Sequence, residues 1–280
     1  MPFELDKYLA RIGYISTEAE TPPTPAANLE TLSAVMAAHM RTISFENMDV
    51  VLRGEISLSP DDVFDKLVTK GRGGYCFEQN TLLRSALTSL GYVVRPLLCR
   101  VRWGKAPTQD TAFTHMCLSV VVNGGTYLAD VGFAGTNSMA PVDLNSESEQ
   151  TLPEGVFHVV KRDDSYSYLE VRDRDDPSKW RALYCWHDIP ALTPDLVQSN
   201  WYSFTHPTAR FTNQFFCCRV IASERHHILN GEYVIREMGG QIVKREKIEG
   251  KDRLLALVTD VFGLALPENT TGLDRFIASK

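Results

Sequence analysis

Apolar residues change their spacing twice along the chain, and the changes divide it. Over the first ninety positions they recur at helical intervals. Phe3, Leu5, Tyr8, Leu9 and Ile12 form one face, closed by Gly13. Thr21-Pro-Pro-Thr-Pro25 reads as a loop. From about Asn28 a second helix carries Leu29, Leu32, Val35, Met36 and Met40 on one side. Ser59-Pro-Asp-Asp62 predicts a third start, with serine as the N-cap, proline at the first position and acids in the first turn. Phe77, Leu82, Leu83, Ala86, Leu87 and Leu90 predict a further helix, ended by Gly91.

After Gly91 the pattern becomes strand-like. Residues 92–103, 113–122, 126–131, 156–160, 166–171 and 180–186 read as strands, which predicts a barrel or a sandwich. Pro96 puts the first of them at an edge or a bulge. Asn123-Gly-Gly125 is a hairpin turn, and the acidic, serine-rich 142–153 reads as an exposed loop. Helical spacing returns at Thr193-Pro-Asp-Leu196, with Thr193 as the N-cap. Strands follow at 215–221, 225–229 and 233–237, with Asn230-Gly231 turning the second hairpin. A last helix starts near Lys251 and ends at Gly263. No internal repeat is visible.

Composition narrows the class. At 280 residues the chain can bury a sizeable core without staples. A net charge of −6 and a pI near 5.7 give no general pull toward nucleic acid or anionic membrane. No stretch approaches the roughly 18 apolar residues of a membrane span. Glu4 and Asp6 in the first positions speak against a signal peptide. The six cysteines (76, 99, 117, 185, 217 and 218) form no CxxC pair and no Cys/His zinc spacing, so no metal is expected. Reduced thiols in a cytoplasmic setting are the expectation.

The stretch Gly71-Arg-Gly-Gly-Tyr-Cys-Phe-Glu-Gln-Asn80 concentrates the chemistry. Three glycines in four positions allow crowded or left-handed backbone. Cys76 then falls at a helix N-terminus, where partial positive charge favours a thiolate. A buried structural cysteine is the competing reading. A cysteine nucleophile needs a base, and the base needs an orienting partner. His115 lies on the next predicted strand but one. Asp130 lies on the strand after the hairpin, toward the same end, in the apolar setting Tyr-Leu-Ala-Asp-Val-Gly-Phe. A buried carboxylate demands a hydrogen-bonded partner, and His115 is the nearest candidate. A structural His–Asp pair beside an unrelated cysteine is the alternative at this point. His39, His206 and the pair His226-His227 read as helix, surface or lid residues rather than ligands.

These segments resemble the arylamine N-acetyltransferase family in its bacterial form. Arg72-Gly-Gly-Tyr-Cys-Phe-Glu-Gln-Asn80 is similar to the family's cysteine loop, Phe113-Thr-His-Met to its histidine strand, and Tyr127-Leu-Ala-Asp-Val-Gly-Phe133 to its aspartate strand. Residues 43–52 resemble its Phe-Glu-Asn segment, and Asn200 with Ser203-Phe-Thr-His-Pro207 its third-domain motif. The resemblance spans about residues 3–219. It implies an α+β fold: a helical bundle over 1–90 with the catalytic cysteine, a β-barrel over 91–190 with the histidine and aspartate, and an α/β lid over 191–280. A cysteine-protease-like arrangement of Cys76, His115 and Asp130 would sit at the first junction. It implies ping-pong transfer of acetyl from acetyl-CoA, as cosubstrate, to an arylamine, arylhydroxylamine or hydrazine.

Further roles follow from the same resemblance. Phe45 and Phe133 would line an aromatic acceptor pocket. Trp103, Gly104, Thr114, Gly124 and Gly125 would contact CoA. Arg72 would pair with Glu46 and brace the cysteine loop, since an always-charged buried arginine needs a carboxylate. The Cys76 backbone N–H is the expected oxyanion donor. Small molecules are the expected partners, without nucleic acid or membrane, and a homodimer is one option for the assembly. Two departures stand out. Ser44 sits where the family often has proline, and Ala134 interrupts the usual Val-Gly-Phe-Gly. Papain-like proteases and transglutaminases share the Cys-His-Asp order, and a non-catalytic scaffold is the remaining alternative.

Overall fold

The cysteine loop opens the helix around which the first part of the protein is packed. The structure, a computed structural model, describes residues 2–14, 24–162, 164–238 and 240–277. The proline-rich loop expected over 21–25 lies largely outside them. Helices come first: α1 (Leu5–Arg11), α2 (Leu29–Thr42), α3 (Met48–Val51), α4 (Pro60–Phe64) and α5 (Cys76–Ser89). A short strand, β1 (Phe45–Glu46), lies among them. In α5, Phe77, Leu82, Leu83, Ala86 and Leu87 are fully buried. Burial of each large apolar side chain contributes roughly 1.5–3 kcal/mol. The helix stops at Gly91, whose φ of 93° suits glycine.

Capping follows the sequence in one case and departs from it in two. Asn28 caps α2, its Oδ1 accepting from Thr31 N at 2.8 Å. Ser59 flanks α4 without a side-chain cap bond; the Ser57 hydroxyl instead donates to Asp62 at 2.6 Å and accepts from Ser59 N. Thr193 is already the first residue of its helix. Asp195 reaches back to accept from Leu192 N at 3.0 Å, so the N-cap position lies one residue earlier than expected.

The middle of the chain is one antiparallel sheet. Its strands are β2 (Val93–Val101), β3 (Phe113–Val122), β4 (Gly125–Ala129), β5 (Val142–Asp143), β6 (Gln150–Leu152), β7 (Gly155–Lys161), β8 (Ser167–Arg172) and β9 (Trp180–Trp186). Their order is β5-β4-β3-β2-β9-β8-β7-β6. The outer strands β5 and β6 meet through a side chain: Gln150 accepts from Asp143 N at 2.7 Å and donates to Asp143 O at 2.9 Å. The sheet is thus a near-barrel. Residues 142–153, expected to be an exposed loop, form its seam. Pro96 pairs with Leu118 on one side, while β9 joins β2 only from Cys99 onward. A missing N–H is tolerated there because that stretch is locally an edge.

The remaining elements are α6 (Thr193–Thr205), α7 (Arg210–Asn213), β10 (Phe216–Ile221), β11 (Glu224–Leu229), β12 (Glu232–Glu237), β13 (Ile242–Lys247) and α8 (Lys251–Ala256). The four strands extend a sheet that begins with β1, in the order β1-β10-β11-β12-β13. Phe45 pairs with Cys218 and Glu46 with Cys217. The helical segment therefore contributes a strand to the lid. No helix among the described residues is long and apolar enough to cross a membrane.

Candidate active site

The chain needs its glycines where the cysteine loop is crowded. A Cβ on Gly73 would lie 2.2 Å from Ser44 O, and one on Gly74 would lie 2.7 Å from the Glu78 carboxylate. The loop is braced by buried charge. Arg72 Nη2 donates to Glu46 Oε1 at 2.9 Å and to Asp49 Oδ1 at 2.8 Å. Lys66 reaches Asp49 at 2.7 Å and Glu78 at 2.6 Å. The other oxygen of Glu78 accepts from Tyr75 N at 3.0 Å, which caps α5 immediately before Cys76. Breaking such a buried network by removing one partner is strongly destabilising.

A second network holds the loop from the helical side. Gln79 donates to Ser44 O at 2.9 Å and Gly74 O at 3.1 Å, and its Oε1 lies 2.5 Å from His39 Nε2. Tyr8 OH lies 2.9 Å from His39 Nδ1. His39 is fully buried, and burial pushes its pKa down to about 4. It is neutral, with Nε2–H donating to Gln79. The lid is pinned to the same region. Asn200 Nδ2 donates to Ile56 O at 2.8 Å, and Tyr75 OH bonds to the Asn200 side chain. Asn47 donates to Phe211 O and Gln214 O and accepts from Phe216 N at 2.7 Å.

Cys76, His115 and Asp130 come together at the junction of α5 with β3 and β4. Cys76 is the first residue of α5, so its N–H has no intrahelical acceptor. Its Sγ lies 3.6 Å from Thr114 O and interacts with the His115 ring. His115 Nε2 lies 2.8 Å from Asp130 Oδ2. The other Asp130 oxygen accepts from Asn80 Nδ2 at 2.9 Å and Gly132 N at 2.8 Å. All three side chains are buried. Burial by itself would lower the His115 pKa; the Asp130 charge and hydrogen bond, with Cys76, outweigh it and hold the ring well above its ordinary value. Burial would raise Asp130, yet His115, Asn80 and Gly132 bring it below the usual carboxylate value.

The aromatic walls are Tyr184, whose ring centroid lies 4.8 Å from that of His115, and Phe133, edge-on at 5.3 Å. Phe133 also lines a cleft of about 610 Å³ between the near-barrel and the lid. Trp103 is on the same lining. Phe45 packs instead against Phe211 and Phe216, and it is Phe216 that faces the cleft. Thr114 contributes its carbonyl to Cys76. Gly104 follows Trp103 in a turn, with φ of 69°. Gly124 and Gly125 are not brought to the site. They turn the β3–β4 hairpin at the end away from His115, and at about 3.4 Å per residue that places them roughly 24 Å or more along the strand. Glycine is present there because Asn123 and Gly124 both have positive φ, at 51° and 77°.

Gly132, by contrast, is part of the site. A Cβ there would lie 2.6 Å from Cys76 Cα and 2.8 Å from Asn80 Nδ2. Asn80 is equally central: it also donates to Met116 O at 2.7 Å and accepts from Val131 N at 3.1 Å. Both lie inside the quoted motifs. The i, i+4 spacing of Cys76 and Asn80 on one helix face was the available signal for Asn80.

Comparison with known proteins identifies the family. An N-acetyltransferase family model matches residues 28–271. The arylamine N-acetyltransferase of Escherichia coli K12 is 31% identical, covering 96% of this chain and 91% of its own. The chain belongs to the arylamine N-acetyltransferase family. The Mycolicibacterium smegmatis arylamine N-acetyltransferase is 32% identical over 95% of this chain and 94% of its own. Among solved structures, the Mycobacterium marinum arylamine N-acetyltransferase superposes with a TM-score of 0.88 at 31% identity, covering 98% of both chains. The same enzyme in complex with CoA gives a TM-score of 0.88 at 30% identity, again over 98% of both. The relatives are acyltransferases, and this chain is an enzyme of that class. Ser44, the departure from the family's proline, uses its hydroxyl to reach Phe262 O at 2.6 Å. Ala134 lines the cleft beside Phe133.

Proposed function

We propose that the chain transfers an acetyl group from acetyl-CoA to the nitrogen of arylamines and hydrazines, and to the oxygen of arylhydroxylamines, in a ping-pong sequence through acetyl-Cys76. The observation that carries this reading is the division of labour on His115. Its Nε2 is committed to Asp130, which leaves Nδ1 for the Cys76 thiol. A ring held basic by a buried carboxylate is suited to take the thiol proton.

The thiolate attacks the thioester carbonyl. The Cys76 N–H is placed to donate to the resulting oxyanion. Collapse expels CoA thiolate, which takes the proton from the imidazolium, and leaves acetyl-Cys76. The acceptor nitrogen then attacks that acyl carbon. His115 takes the nitrogen's proton, and the Cys76 thiolate leaves. Asp130 stabilises the charged ring in both halves. Support for CoA as the carrier comes from the M. marinum relative, solved in complex with CoA. Support for an aromatic acceptor comes from Phe133 and Phe216 on the cleft. In this reading residues 1–90, 91–190 and 191–280 act as the cysteine-bearing, histidine/aspartate-bearing and lid segments.

The test is CoA release from acetyl-CoA, followed with and without an arylamine. Release that rises with arylamine concentration and yields the N-acetyl product supports the reading. Release that ignores the amine indicates a hydrolase and refutes it.

A further inference from the structure

The cleft beside Phe133 carries more positive charge than its own acids neutralise. Arg172 is paired with Glu149, and Arg181 with Asp173. Four further arginines line the cleft: Arg174, Arg210, Arg225 and Arg236. Among the described residues none of the four has a carboxylate within ion-pair reach. Each bonds neutral oxygen. Arg174 Nη2 donates to Glu154 O at 2.5 Å, Arg210 Nε to Gln214 Oε1 at 2.8 Å, Arg225 Nη2 to Asn137 O at 2.5 Å, and Arg236 Nη1 to Gly240 O at 3.1 Å.

Arg225 is the most demanding of these. It is only 7% exposed, and although the Glu154 carboxylate and Cys218 act on its charge, no carboxylate among the described residues forms an ion pair with it. Of the acids on the lining, Glu154 accepts from Met139 N at 3.1 Å, Asp173 serves Arg181, and Asp175 and Glu237 pair with none of the four. An unpaired buried charge is destabilising, and proteins keep one where a ligand completes it. The local potential is felt by His227 on the same lining. Burial first, and then Arg236 and Arg225, bring its pKa down to about 4.

The position ties this charge to the reaction. Asn137, which accepts from Arg225, donates its side-chain amide to Asp130 O at 2.9 Å. Arg225 thus stands two hydrogen bonds from the triad, and Arg174 and Arg236 line the same cleft. We propose that Arg225, together with Arg174, Arg210 and Arg236, forms an anion seat that holds the phosphate groups of the acyl donor while the thioester reaches past Phe133. A guanidinium fork matches phosphate and carboxylate oxygens alike. Four such groups spread over one cleft fit a ligand with several anionic groups, as a coenzyme A thioester has, better than a single carboxylate. This assignment rests on the transferase reading only for the identity of the anion.

The test uses R225Q and, because Arg236 is partly exposed and its loss leaves the core intact, R236Q. Inorganic pyrophosphate is the probe without turnover: it raises Tm of the wild type and raises it less in each variant. KM for acetyl-CoA rises by about tenfold in the double variant, whereas KM for p-nitrophenyl acetate, a donor without an anionic group, shifts far less. If the loss instead follows 4-aminobenzoate and spares aniline at fixed acetyl-CoA, the seat reads an acceptor carboxylate and the phosphate assignment is overturned. Equal pyrophosphate shifts in wild type and variants, with all KM values unchanged, overturn the anion seat altogether. Should the wild type transfer no acetyl group, the pyrophosphate arm still decides the seat, so its failure and that of the transferase reading are told apart.

Discussion

Asn80 and Asp130 are joined by a 2.9 Å hydrogen bond from the Asn80 amide to Asp130 Oδ1, which leaves Oδ2 free for His115. Asn80 sits one turn after Cys76 on α5, so the helix that carries the nucleophile also aims the carboxylate that orients the base. Asn80→Ala removes that aim and leaves all three reacting groups in place. Turnover should fall by about 10², the penalty of roughly 1 Å of misplacement. Circular dichroism checks that the fold survives, and a kcat near the wild-type value would show that Gly132 N alone holds the carboxylate.

Asp130→Asn keeps the size and loses the charge that supports the imidazolium. Activity should fall on the order of 10⁴ by the protease precedent for such a change. The pH–rate profile is the informative readout. With the carboxylate gone, burial dominates at His115 and its apparent pKa drops. An unshifted profile would place the base elsewhere.

Gly132→Ala pushes a methyl group into the Cys76 backbone, 2.6 Å from its Cα. Overpacking of this kind destabilises by about 1–3 kcal/mol. Here it also displaces the nucleophile, so kcat should fall further than the loss of Tm suggests. Thermal melts and initial rates on the same sample separate the two effects.

Legibility followed the range of the interaction. Cys76 at a helix start, the Asn123-Gly124 turn and the helix–sheet–mixed order were readable because periodicity and turn chemistry are local. The pairing of His115 with Asp130 was readable from hairpin counting, since register carries a residue to a known face. The contribution of β1 to the lid sheet was not, because a two-residue strand has no period. Tyr184 and Arg225 were invisible for another reason: each reaches the site from a distant strand with nothing local to mark it. Gly124 and Gly125 mislead in the opposite way. A glycine pair looks like a ligand loop, but here it meets the demand of a tight turn at the far end of β3.

His39 gives a stability signature in acid. Its folded pKa of about 4 lies below the roughly 6.5 of an unfolded histidine. Between those values the unfolded chain binds the extra proton, so stability falls as pH falls from about 6.5 to about 4. The loss from this one group is on the order of 3 kcal/mol. Asp130, whose pKa is depressed, adds its own loss only below about 3.9. Urea midpoints across pH 7 to 4.5 should therefore decline for the wild type and decline less steeply for His39→Gln. Parallel slopes would mean that His39 is charged in the folded protein.

The central claim is that Cys76 carries the acetyl group between donor and acceptor. Incubation with acetyl-CoA alone, followed by intact-mass measurement and peptide mapping, tests it most directly. Exchange between two thioesters is nearly balanced, and the buried setting of Cys76 limits hydrolysis, so the acyl-enzyme should accumulate. The account predicts one added acetyl group on the peptide containing Cys76, absent in Cys76→Ser and discharged to N-acetyl product when an arylamine is added. Amine-dependent turnover with no acetyl group ever found on Cys76 would contradict it and point to direct transfer in a ternary complex.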